Sequence, residues 1–420
     1  MPQHLYELAG LTVLHVSQPV EGGVARVVTD LVRAQLDDGM RPVVACPPDG
    51  ALPEAAAAAG ARVVRWPAGR SPGPGLARET RAAGRLIRAV RPDLLHVHSA
   101  KAGLAVRLAV RGTRPTVFQP HAWSFDAVGG ATARAALRWE RYAARWADRV
   151  LCVSEAERRA GQEAGVPGRW AVVPNGVDLD RFAPGGGEDA GGAGDGGTGH
   201  GEGFRRGGLP ALPSPPGLSG VADDAPLVVC VGRLCAQKGQ DVLLRAWPRV
   251  SAALPEARLV LVGDGPALRS LLRDAPPGVL FAGGAADTAP WYRAADVAVL
   301  PSRWEGMALA PLEAMACGRP VVLTDVSGAR ESVPAADAAA AVVPVGDERA
   351  LADALLALLT DPVRRAAAGR RALAHVRERH DVRRTAAAVA ELYGEVLALP
   401  GPRPRPPLPR PARRGDRVAR

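Results

Sequence analysis

The chain has 420 residues, 53 basic and 43 acidic side chains for a net charge of +10, and close to half of it is apolar. That length accommodates two domains with substantial cores, and no apolar run approaches the ~18 residues of a membrane span. Residues 400–420 hold seven arginines against one aspartate and so most of the excess charge. No aromatic platform, zinc finger or helix-turn-helix pattern accompanies it, which argues against nucleic acid as a partner.

Cys46, Cys152, Cys230, Cys235 and Cys317 are scattered, with no C-x-x-C and no histidines at zinc spacing, and read as reduced, mostly buried thiols. The first residues lack the basic region and apolar stretch of a signal peptide, so a cytoplasmic location is expected. Arginine makes up nearly all of the basic residues; Lys101 and Lys238 are the only lysines and Asn175 the only asparagine. A residue type that survives such a bias at a turn or glycine-rich loop is a candidate for chemistry.

In chain order, residues 11–17 read as a strand, Glu21-Gly22-Gly23 as a glycine turn, and 24–38 as a helix. Strand, glycine turn and helix make the phosphate-facing corner of a Rossmann-like unit. The absence of a full G-x-G-x-x-G argues against a dinucleotide oxidoreductase. Strands at 42–46, 62–65, 94–98, 116–119, 149–153 and 171–173 then alternate with helices at 52–59, 76–90, 102–110, 131–147 and 155–164. This alternation predicts a parallel α/β sheet covered on both faces, with ligands beyond the strand C-termini.

Two of those strand ends carry chemistry. One holds His96, His98 and Lys101, where a lysine at a helix start suits an acceptor phosphate, the alternative being a packed histidine and a surface lysine. Another holds Pro120-His121-Ala122-Trp123. Along the helix from 131, Arg134, Arg138, Arg141, Arg145 and Arg149 share one face, flanked by Trp139, Tyr142 and Trp146. That pattern suits an anionic membrane surface, or else a solvated basic face with the aromatics turned inward. Asn175-Gly176 suits a left-handed turn. Asp178-Leu179-Asp180 is formally a metal pair, but at a domain edge no metal is expected there. Residues 185–224 are rich in Gly, Pro and Ala, and read as a disordered insertion between domains.

The second half opens with a strand at 227–231 followed by Gly232-Arg233 and Lys238-Gly239, which offer a planar fork and a compact point charge. Strands at 258–262 and 279–282 end in Gly263-Asp264-Gly265 and Gly283-Gly284. After a strand at 297–300, Glu305 lies in a loop and Glu313 eight residues further on a helix, so both carboxylates can border one cleft. Gly306 permits close backbone approach, and the N–H groups of Met307, Ala308 and Leu309 lie at the helix start. Helices at 351–359, 362–378 and 383–397 close the pattern.

Glu305-x7-Glu313 followed by Ala-Met-Ala-Cys317-Gly318-Arg-Pro-Val-Val resembles the signature of family-4 retaining glycosyltransferases. The resemblance implies the GT-B fold, two Rossmann-like doubly wound domains facing across a cleft. It divides the chain into an acceptor-side domain at 1–184, the insertion, a donor-binding domain at 225–380, a helix at 381–399 returning to the first domain, and a disordered basic tail at 400–420. It implies a nucleotide-sugar donor and a glycan or lipid-linked acceptor, with no cofactor and no metal. Arg233, Lys238, Glu305 and His121 take catalytic roles in it. The donor is bound by Gly22, Gly23, Arg233, Lys238, Gly263, Asp264, Gly283, Glu305, Gly306, Met307, Ala308, Leu309 and Glu313, and His98, Lys101 and Asn175 are acceptor candidates. A sugar phosphorylase, a sugar-nucleotide epimerase or a silent membrane scaffold are the competing readings.

Overall fold

Runs of Val and Leu buried on both faces build the strands, as a parallel sheet covered by helices requires. The computed structural model describes residues 8–70, 72–185 and 224–398. The first unit runs β1 (Thr12–Ser17), α1 (Gly22–Asp37), β2 (Arg41–Cys46), α2 (Ala51–Ala58), β3 (Arg62–Arg65), α3 (Leu76–Val90) and β4 (Leu94–His98). It continues with α4 (Ser99–Val110), β5 (Thr116–Gln119), α5 (Gly130–Ala143), β6 (Arg149–Cys152), α6 (Glu155–Glu163) and β7 (Trp170–Val172). Its strands lie in the order β3-β2-β1-β4-β5-β6-β7.

The second unit runs β8 (Leu227–Val231), α7 (Gln240–Ala253), β9 (Arg258–Val262), α8 (Leu268–Asp274), β10 (Val279–Gly283), α9 (Ala289–Ala294) and β11 (Val297–Leu300). After it come α10 (Leu309–Ala316), β12 (Val321–Thr324), α11 (Ala329–Ser332), α12 (Ala338–Ala341) and β13 (Val342–Val343). Three helices end it: α13 (Glu348–Leu359), α14 (Pro362–Arg379) and α15 (Val382–Leu397). The sheet order is β10-β9-β8-β11-β12-β13.

Both sheets are parallel throughout, and in each the chain reverses direction at one place: between β1 and β4, and between β8 and β11. Such reversals open a crevice at the strand C-termini. Here they put the ends of β1 and β4 side by side in one unit, with Ser17 opposite His98, and the Arg233–Lys238 and Ser302–Ala308 loops side by side in the other.

The two units share a core. Val13 and Leu31 belong to the same apolar cluster as Met307, Leu309, Leu312, Val389 and Tyr393. Helix α15 leaves the second unit and packs its apolar face against α1. Asp361 and Asp381 start the last two helices by accepting the N–H of Arg364 and Arg383, both at 2.9 Å. The expected insertion at 185–224, apart from its two end residues, and the tail at 400–420 lie outside the described residues.

One element corrects the sequence reading. The basic helix stops at Ala143, a short 3-10 turn follows, and Arg149 opens β6. Ala147 is extended there, since Asp148 must hand its backbone N–H to Thr116 across the sheet at 2.8 Å. The basic ridge therefore has four members. Among the described residues no helix is long and apolar enough to cross a membrane.

Candidate active site

The loops after β8 and β11 are laced into one surface. Gly239 sits at φ 65°, and a Cβ there would lie 2.0 Å from the Pro301 carbonyl oxygen, so only glycine lets these loops meet. Gln237 donates to the Trp304 carbonyl at 3.0 Å, and the Arg303 N–H to the Gln237 carbonyl at 2.7 Å. Lys238 is thereby aimed at Glu305, with Nζ 2.5 Å from Oε1, and Ser302 Oγ donates to the same oxygen at 2.7 Å. Arg233 leaves the end of β8 beside them, its carbonyl held by Gln240 Nε2 at 3.1 Å. A Cβ on Gly263 would lie 2.0 Å from the Gly232 carbonyl oxygen, so the Gly263-Asp264 loop backs directly onto the arginine loop. Gly283 adjoins it, accepting the Gly263 N–H at 2.8 Å.

Glu313 lies two turns beyond, on α10, and is 5% exposed. Its Oε2 accepts from the Tyr292 hydroxyl at 3.1 Å and from Thr288 Oγ1 at 3.4 Å. Burial and the neighbouring carboxylate push the Tyr292 phenol well up, which keeps it a donor. Oε1 accepts from Arg26 Nη1 at 2.6 Å. Arg26 comes from α1 of the opposite unit, one turn past Gly22 and Gly23, and sequence reasoning missed it. Its only sequence sign is one charge on an otherwise apolar helix start. Gly23 itself faces α10, where a Cβ added to it would lie 3.9 Å from the Leu309 side chain.

The helix-start loop is also tied to the first unit. Ser154 Oγ donates to the Gly306 carbonyl at 3.0 Å, and Asn175 Nδ2 to the Met307 carbonyl at 2.7 Å. Glu331 accepts the N–H groups of Glu155 and Ala156, both at 2.7 Å, across the same interface. Any side chain on Gly306 would strike the His121 backbone at 2.9 Å. Ala308 adjoins this loop at the N-cap position of α10, where it makes no side-chain capping bond.

All three acceptor candidates are buried. Asn175 is 5% exposed, and its amide pins the Met307 loop instead of facing the cleft. Lys101 is buried in an ion pair with Glu79, Nζ to Oε2 at 2.6 Å. The other oxygen of Glu79 accepts the Gly69 N–H at 2.9 Å, so this pair anchors the loop before Arg70. Burial and the like charge of Arg233 lower the Arg70 guanidinium, which places a second-unit cation and a first-unit cation near each other. His98 is fully buried, hydrogen-bonded to His15 and to His121, both at 3.0 Å.

Burial depresses the whole histidine group: His121 to about 3, His15 to about 4, and His96 and His98 well below the usual range. Neutral imidazoles are metal ligands in principle, and nitrogens of His15, His96 and His98 lie within 4.8 Å of one another. The His96 and His98 rings, however, face each other at 4.0 Å with 32° between their planes, so their in-plane lone pairs run side by side and do not converge. In the Asp178-Leu179-Asp180 segment, Asp178 Oδ1 accepts the N–H groups of Asp180 and Arg181, both at 3.0 Å, and Asp180 pairs with Arg383. These contacts make the segment a turn.

On the basic helix Arg134, Arg138 and Arg141, and in the turn after it Arg145, are exposed, while Arg149 pairs with Glu395 at 3.1 Å. Trp139, Tyr142 and Trp146 pack on one another, with Tyr142 and Trp146 centroids 5.1 Å apart.

Comparison with known proteins decides the family. Residues 21–181 match the model described as Glycosyltransferase Family 4, and residues 225–361 match that of Glycosyl transferases group 1. The chain belongs to the family 4 glycosyltransferases. This family-4 chain is 36% identical over 216 residues to a GDP-mannose-dependent monoacylated alpha-(1-6)-phosphatidylinositol monomannoside mannosyltransferase of Corynebacterium glutamicum, covering 49% of this chain and 50% of the relative. It is 28% identical over 257 residues to UDP-Gal:alpha-D-GlcNAc-diphosphoundecaprenol alpha-1,3-galactosyltransferase of Escherichia coli, covering 58% of this chain and 60% of the relative. The match thus spans about half the length of these relatives. In fold, the family-4 chain superimposes on Anabaena HepE, crystallised with UDP and glucose, at a TM-score of 0.73 and 22% identity, covering 92% of this chain and 100% of the other. The architecture is GT-B.

Proposed function

We propose that this protein is a retaining, metal-independent glycosyltransferase that moves a sugar from a nucleotide-sugar donor to a lipid-linked or cell-envelope glycan. The observation that carries this reading is the pairing of Lys238 with Glu305 at 2.5 Å, in loops that meet at the reversal of the second sheet, with Arg233 beside them. With a donor present, the two cations hold the diphosphate, Glu305 and the Met307 to Leu309 amides hold the sugar, and Glu313 holds the ribose. Gly263, Asp264 and Gly283 border the base, and His121 the sugar from the opposite wall.

The acceptor hydroxyl attacks the anomeric carbon on the face from which the diphosphate departs. The bond from that carbon to the diphosphate oxygen breaks, its electron pair stays with the diphosphate, and the diphosphate takes the acceptor's proton. Preorganised charge at the leaving group is the main source of acceleration: Arg233 and Lys238 supply what a divalent ion supplies elsewhere. Each cation–phosphate contact at ~4 Å is worth up to about 4 kcal/mol gross at intermediate dielectric.

Two relatives named above act on a phosphatidylinositol mannoside and on a diphosphoundecaprenol-linked sugar, which supports an acceptor of the same lipid-linked kind here. The arginines of α5 and the turn after it then serve as a peripheral contact with an anionic membrane from the cytoplasmic side. The test is a thermal-shift panel of GDP- and UDP-sugars, followed by NMR of the product made from the stabilising donor. Stabilisation by one donor and a product with the donor's anomeric configuration are expected. No stabilisation, or an inverted product, overturns the reading.

A further inference from the structure

Six side chains from both ends of the fold form one unbroken hydrogen-bonded chain. His121 Nε2 meets His98 Nδ1 at 3.0 Å, His98 Nε2 meets His15 Nδ1 at 3.0 Å, and His15 Nε2 meets Gln35 Oε1 at 2.8 Å. Gln35 Nε2 donates to the Tyr393 hydroxyl at 3.3 Å, which meets His96 Nδ1 at 2.6 Å. All but His121 are buried; His121 is half-buried at the cleft. The elements that contribute are β1, β4, the loop after β5, α1, and α15, the helix that arrives from the second unit.

A neutral imidazole has one N–H and one bare nitrogen. Each link needs one donor, so a neutral chain of this kind has two states only, with all links pointing one way or all the other. The Gln35 carbonyl faces His15, so His15 Nε2 carries the proton, its Nδ1 accepts from His98, and His98 Nδ1 accepts from His121. At the far end, the Gln35 amide gives its proton to Tyr393, and the Tyr393 hydroxyl gives its own to His96 Nδ1. The His96 proton then sits on Nε2, with the buried Gln119 side chain as its neighbour.

We infer that this chain, which Tyr393 on the crossover helix joins to His96, holds His121 as the Nε2–H tautomer and leaves its Nδ1 bare. Tyr393 is thus a positioning residue for His121. A bare nitrogen accepts from a hydroxyl and cannot donate to a phosphate oxygen, so His121 recognises a hydroxyl-bearing ligand group. That the hydroxyl belongs to the donor sugar rests on the proposed function; the tautomer does not.

Removing the Tyr393 hydroxyl leaves the Gln35 amide N–H buried without an acceptor. Orphaned N–H groups are tolerated less readily than orphaned carbonyls. Gln35 then turns its amide toward His15 and every link reverses. The test is long-range proton–nitrogen NMR on the full chain labelled with 15N-histidine, without any donor, with His121 assigned from a His121→Asn sample. The expected result is an Nε2–H tautomer at His121 in the wild type and a shift toward Nδ1–H in Tyr393→Phe. An Nδ1–H tautomer in the wild type overturns the inference with no variant needed, as does an unchanged His121 signature in folded Tyr393→Phe. Because no sugar nucleotide enters the measurement, its failure is separate from failure of the proposed activity.

Discussion

Arg26 Nη1 lies 2.6 Å from Glu313 Oε1, so a side chain from the first helix of one unit closes on the buried carboxylate of the other. In the donor complex we propose, ribose hydroxyls take the place of that guanidinium. Arg26→Ala leaves a nearly buried carboxylate with only Tyr292 and Thr288, and since Arg26 is itself partly solvated the loss is about 2 kcal/mol. The expected outcome in a thermal scan is a Tm lower by about 4–8 °C without donor, with a smaller gap to wild type at saturating donor. An equal gap in both conditions would count against displacement.

Lys238→Ala removes a cation from the departing diphosphate and leaves Glu305 with Ser302 alone. Turnover at saturating donor should fall by on the order of 10²-fold or more. Steady-state kinetics showing near-wild-type kcat would remove Lys238 from the chemistry.

Glu157 gives the pH dependence a definite sign. Its carboxylate accepts the Val153 N–H at 2.7 Å while Ser154 caps the helix above it, and burial pushes the carboxyl up from 4.5 to about 8. The folded state therefore keeps a proton that the unfolded state has lost, and this group's contribution falls as pH rises from about 4.5 to about 8. His15, His121 and His380 act with the opposite sign, in a window that overlaps the lower part of this one. Burial lowers them to about 4, about 3 and about 4, so stability is lost as pH falls below about 6.5. Glu157→Gln should remove the loss of stability with rising pH between about 4.5 and 8 from a denaturation-versus-pH profile, and leave the profile below about 4.5 in place. Parallel profiles would contradict the assignment.

If the two cations carry the leaving charge, EDTA should leave the transfer rate unchanged in an assay with purified protein. A rate abolished by chelation and restored by a divalent ion would return attention to the carboxylates.

Much of the second unit is legible in the sequence because its chemistry is local. Arg233, Lys238 and Glu305 lie in loops after strands and Glu313 on the helix that follows, all framed by hydrophobic runs and glycine turns that the sequence marks clearly. Arg26 and Tyr292 are not legible, since each matters only through a partner that the fold brings from far along the chain. Lys101 misleads for the same reason: the buried carboxylate that neutralises it lies on the neighbouring helix α3. Asn175 stands out by its rarity, yet its amide serves a backbone carbonyl in the buried contact between the two units. The arginine ridge reads one member too long because helical spacing continues in the sequence after sheet pairing has ended the helix. Ser154 and Glu157, an S-x-x-E at a helix start, carry a readable capping signal that the sequence analysis does not use.

The central claim is that Arg233 and Lys238 grip a diphosphate, and calorimetric titration with UDP and GDP measures that grip without an acceptor. Wild-type protein should bind at least one of them, with Kd weakened by about tenfold or more in Lys238→Ala and in Arg233→Ala, equivalent to about 1.4 kcal/mol. Binding of neither diphosphate, or equal Kd in all three proteins, would contradict it.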